Sequence, residues 1–169
     1  MAPAHPGDPM STERLAELVR AASYGTVLVL AALSAIGVSD VALGHGSELV
    51  AGVGLATWLA HLFAELLGGQ VHRDTRLGRR EVRRAMADGS PILVSTVLPA
   101  LVLLLGRLDL VADGTARIVA IAVGVLQLAA IGAFVGRVAP ARPGTVWAVA
   151  GVTVAAGIAV VAVTVALGH

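Results

Sequence analysis

Long stretches without a single charge constrain this chain more than any other feature. Nothing ionised falls between Ala21 and Ser39, and comparable runs lie in the second half of the sequence. A run of about 20 apolar residues matches the thickness of a bilayer's hydrocarbon core. Runs of this length read as transmembrane helices. Composition agrees: 57% of the 169 residues are hydrophobic and 14% are charged. A soluble domain carries roughly 25% charged residues, so this chain has too few to cover an aqueous surface. The expected fold is all-α, an integral membrane bundle of five transmembrane helices solvated by the lipid bilayer.

The expected spans are about residues 21–38, 48–69, 90–106, 116–136 and 144–168. They form a single membrane domain over 11–169, preceded by a disordered tail over 1–10, where Pro3, Pro6, Gly7 and Pro9 sit among small residues. A helix starts near Ser11–Thr12 and runs into the first span. That span is too long for a cleaved signal sequence, whose apolar core is about 7–15 residues. Ser90-Pro91 suits a helix start, and Pro99 should kink the third span. All twelve basic residues are arginines. Arg73, Arg76, Arg79, Arg80, Arg83 and Arg84 share the connection between the second and third spans, whereas Ser39–Ser47 has none. The positive-inside rule then places the N-terminus in the cytoplasm and the C-terminus outside, in a multi-pass protein of the cell membrane. The arginine-rich connection reads as a short cytoplasmic helix starting near Asp74 or Thr75 and ending at Gly89. Such a helix can lie on anionic headgroups at the membrane surface. The plain alternative is that its arginines only set topology. Basic residues concentrated in one loop give no reason to expect a nucleic-acid partner.

His61 and Glu65 interrupt the second span. Four residues apart, they share one helix face, with Trp58 close to it. Ionisable groups within a membrane are costly and usually face a bundle interior or cavity. An imidazole beside a carboxylate suits a divalent first-row metal ion, or proton exchange. The structural alternative is that Glu65 reaches the interface and His61 bonds to a neighbour. Tyr24 is a weaker candidate for the same pathway, and Gln127 reads as glue between helices. The chain has no Cys, and His61-Leu-Phe-Ala-Glu65 lacks the second His of a zinc protease. No motif points to an enzyme or to a resident cofactor beyond a bound divalent metal.

The arrangement resembles the vacuolar iron transporter family of five-helix membrane carriers. In that family a G-E-Y stretch closes the second helix, and an Asp follows nine residues after the Glu. Here Ala64-Glu65-Leu66 and Arg73-Asp74 stand at that spacing. Ala21-Ala22-Ser23-Tyr24-Gly25 occupies the place of the family's G-A-N-D-G-like motif, with Tyr24 where the Asp would be. His61 stands where the family often has a Met, and the acidic cytoplasmic metal-binding helices are replaced by arginine-rich sequence. The resemblance implies a divergent proton-coupled carrier of Fe²⁺ or Mn²⁺ type and a homodimer. A homodimer also suits the small-residue faces of the first, second and fourth spans. The competing reading is a non-transporting accessory or structural subunit of a larger complex.

Overall fold

The computed structural model describes residues 12–72, 78–138 and 151–159, with isolated positions at 148, 162 and 166. Among the described residues up to Val138, five helices follow in order: α1 (Thr12–Ala35), α2 (Val38–Ala42), α3 (His45–His72), α4 (Arg79–Arg107) and α5 (Asp113–Val138). Four of them are long and apolar enough to cross a membrane: Thr12–Ala35, His45–Gly69, Arg79–Arg107 and Asp113–Val138. That is the make-up of a polytopic membrane protein. About half of the expected fifth span, 144–168, lies outside the described residues. Its described part, 151–159, is helical, and a Cβ placed on Gly157 would press on Leu128 and Leu30. The expected tail over 1–10 also lies outside them.

α1 and α4 pack against each other and against both α3 and α5, while α3 and α5 do not meet. The α1–α4 pair is therefore the middle of the bundle. Val29, Leu30, Leu33, Ile36, Val41, Val50, Leu103 and Leu128 form its core with Ala116 and Ala120. On α5 the buried positions recur every fourth residue, and five of the six are Ala or Gly: Ala116, Ala120, Gly124, Gly132 and Gly136. The larger residues Ile118, Leu126 and Phe134 face outwards. Small residues inside and large apolar ones outside suit helices that gain from close approach, since lipid tails solvate Leu as well as a core does. Gly124, for example, lies under Leu30.

Two features differ from the expectation. The arginine-rich segment is not a separate short helix as far as it is described. Arg79, Arg80, Arg83 and Arg84 occupy the first turns of α4, which runs through Gly89, Ser90 and Pro91 without a break. Arg73 and Arg76 lie outside the described residues. Pro91 has no N–H to offer the carbonyl of Ala87, but Ser90 Oγ donates to that oxygen at 2.7 Å. The lost helical bond is replaced locally, so the helix need not stop. The second feature is α2, which forms where a loop was expected. Asp40 Oδ2 accepts from Gly37 N–H at 2.7 Å, and two residues past the helix the chain turns at Gly44, whose φ of 80° favours glycine.

Candidate functional site

α1 and α3 are antiparallel neighbours, so the start of α1 meets the last turns of α3. There the i, i+4 pair His61 and Glu65 is joined by Glu17 of α1, and one ligand atom from each of the three lies within 4.8 Å of the others. Glu17 and His61 are half-buried and Glu65 is exposed. Glu17 Oε2 also accepts from Arg20 NH1 at 2.6 Å, one turn along the same helix. The cluster is thus open on one side and carries its own cation.

His61 is held by close packing of α3 on α4. A Cβ at Gly89 would lie 3.1 Å from His61 Cδ2 and 3.1 Å from Trp58 Cδ1. Glycine is what lets both rings rest on the α4 backbone. Trp58 Nε1 donates to Met86 O at 3.4 Å. His61 Nε2 is buried and has no hydrogen-bond partner among the described residues. A buried ring nitrogen without a protein partner is free to bond to a ligand or a water.

Asp88 stands beside this junction on α4, between Arg14 Nε at 3.6 Å and Arg84 Nε at 3.6 Å. Those separations are ion pairs without hydrogen bonds, and Asp88 Oδ1 is likewise buried without a hydrogen-bond partner. Tyr24 is placed differently. It lies seven residues after Glu17 on α1, about 10 Å deeper along the axis, and is 56% exposed. Gln127, expected to bridge helices, keeps a buried Oε1 with no partner among the described residues.

Two carboxylates and an imidazole form a donor set for a divalent first-row cation. Ligand bonds of about 2.0–2.2 Å put the donor atoms roughly 3–3.5 Å apart around one ion. The three side chains would have to close in by about an ångström, a change within reach of rotamer adjustment. Glu17 also alters the charge balance. His61 and Glu65 alone carry one negative charge; Glu17 adds a second, which its bond to Arg20 offsets until an ion displaces that cation.

The chain matches no protein-family model, no curated protein and no solved structure.

Proposed function

We propose that this is a small multi-pass membrane protein that binds a divalent first-row cation of the Fe²⁺ or Mn²⁺ type through Glu17, His61 and Glu65. In this reading it acts as a divergent carrier, with that site as the cytoplasmic entry. The observation that carries the reading is the convergence of the three ligand atoms from two helices. The unpartnered His61 Nε2 supports it, as does the resemblance to the vacuolar iron transporter family in Glu65 and Asp74. Glu17 takes the role of second carboxylate that the missing first-helix Asp leaves open at Tyr24. The metal is cargo, so no resident cofactor is assigned and no enzymatic activity is proposed.

A specific observation favours the second reading, a metal-binding accessory subunit that does not transport. Thr26, Ser34, Ser95 and Thr96 are buried, but each hydroxyl donates to a carbonyl of its own helix. The apolar core that includes Leu33, Ile36, Val41 and Val50 then fills the bundle towards the other end. A carrier would have to open that half.

The test has two stages. Titration of Mn²⁺ onto the purified protein should show a saturable site that Glu17→Gln and His61→Ala each weaken by about tenfold or more, which is 1.4 kcal/mol per decade. Identical titrations for all three proteins would remove the site. Uptake of Mn²⁺ into reconstituted vesicles then separates the readings: uptake lost in His61→Ala supports the carrier, and binding without uptake supports the accessory subunit.

A further inference from the structure

Glu17 stands on a part of α1 that apolar packing holds only weakly. Between Thr12 and Arg20 no residue is buried, Leu15, Leu18 and Val19 being half-buried at most. Full burial on this helix begins at Ala21. His61 and Glu65 stand on α3, which is fixed to α4 at the same level. Trp58 Nε1 donates to Met86 O, and the Trp58 and His61 rings lie against Gly89. The separation of the two halves of the site therefore depends on how the start of α1 is tied to this turn of α4.

Asp88 makes that tie. Its Oδ2 faces Arg84 Nε at 3.6 Å, one turn back on α4, and its Oδ1 faces Arg14 Nε at 3.6 Å. Arg84 takes one oxygen and leaves the other for α1. The Asp88 side chain is only 16% exposed against 51% for Arg14, so the carboxylate is shielded from water, where an opposite charge attracts it more strongly. Arg14 and Glu17 are three residues apart and share a face of α1. One turn of α4, from Met86 to Gly89, thus meets Arg14 on one side and Trp58 and His61 on the other. A cation site leaves little slack. Donor atoms now within 4.8 Å of one another have to close to about 3–3.5 Å around an ion. A drift of α1 by about an ångström decides whether Glu17 reaches it.

We infer that Asp88 is a positioning residue of the cation site, acting through Arg14 to hold Glu17 opposite His61; this rests on the metal-binding reading above. Arg14 and Asp88 carry opposite charges, so charge and position have different consequences. Through-space charge alone makes Asp88→Asn weaken Mn²⁺ binding and Arg14→Gln strengthen it. Positioning makes both weaken it. The full chain in detergent is titrated with Mn²⁺ at fixed pH and ionic strength. Both variants should bind about threefold more weakly or worse, with Asp88→Glu and Arg14→Lys closer to wild type. Thermal midpoints should stay near wild type, because an ion pair with a half-exposed partner contributes little to stability. Tighter binding by Arg14→Gln, wild-type binding by Asp88→Asn, or a large fall in the midpoint of either variant overturns the inference. The place of α1 is read directly from spin labels on cysteines introduced at Glu13 and Leu67, in a chain with no Cys of its own. Arg14→Gln should broaden or shift the distance between the labels, and an unchanged distribution also overturns the inference. Absence of saturable Mn²⁺ binding by the wild type removes the metal reading and the role of Asp88 together, whereas binding that Asp88→Asn leaves intact removes only the latter.

Discussion

An added side chain at Gly89 would meet Trp58 and His61 at once, which makes this position a direct probe of the candidate site. Gly89→Leu cannot be accommodated without separating α3 from α4, because the obstructing atoms belong to two rings at 3.1 Å. Overpacking of this kind costs about 1–3 kcal/mol. The expected outcome is a lower thermal midpoint in detergent together with weaker Mn²⁺ binding, and wild-type values of both would show that the junction is loose. Arg20 probes the site from the other side. It is exposed and bonded to Glu17, and exposed pairs of this kind contribute only about 0–1 kcal/mol. Arg20→Gln frees the carboxylate and removes a competing cation, so Mn²⁺ should bind more tightly. Weaker binding would mean that Arg20 instead orients Glu17. The pairing of His61 with Glu65 was legible in the sequence, since helical spacing alone puts them on one face. Glu17 was not, because it precedes the charge-free stretch, and the first-helix carboxylate of the family motif falls on Tyr24. The usable signal was there: a helix beginning near Thr12 carries Glu17 at the membrane end to which an antiparallel second span brings Glu65.

At the scale of elements, the long helices were legible because charge-free length dictates them, whereas their ends depend on single hydrogen bonds that hydropathy does not encode. Ser90-Pro91 reads as a helix start, yet Ser90 Oγ on Ala87 O lets α4 continue. α2 rests on Asp40 capping Gly37. The end of α1 shows the same dependence. Arg117 of α5 donates through Nε to Ile36 O at 2.6 Å and through NH2 to Ser34 O at 3.4 Å. A cation on the last carbonyls of a helix satisfies acceptors that have no intrahelical partner and complements the helix dipole. Arg117→Gln should lower unfolding stability by about 1–3 kcal/mol, the range for hydrogen bonds to charged groups. Mn²⁺ binding at the far end should not change. A loss of binding in this variant would mean that the two ends are coupled.

The whole molecule separates its charge by end. Arg14, Arg20, Arg79, Arg80, Arg83, Arg84 and Arg137 stand at the end where α1 and α4 begin. The opposite end holds Arg107, bonded to Glu48 at 3.3 Å, and Arg117, spent on the α1 carbonyls. Retention of positive charge in the cytoplasm follows basic residues near the span ends, and the topology prediction is that the first end faces the cytoplasm. If α1, α3, α4 and α5 each cross once, the chain at Val138 is back on that side. The apolar 144–168 stretch comes next in the chain, and its described part brings Gly157 against Leu128 and Leu30 in the middle of the bundle. Burial at that depth fits one more crossing better than a segment lying on the surface. Reporter fusions at residue 80 and at Gly44 should therefore fall on opposite sides of the membrane, and a fusion after His169 should fall on the side of Gly44. A C-terminal reporter on the side of residue 80 would leave the four described crossings intact and overturn the fifth. It would also end the likeness to a five-helix carrier, because the two ends of the chain would then share one compartment.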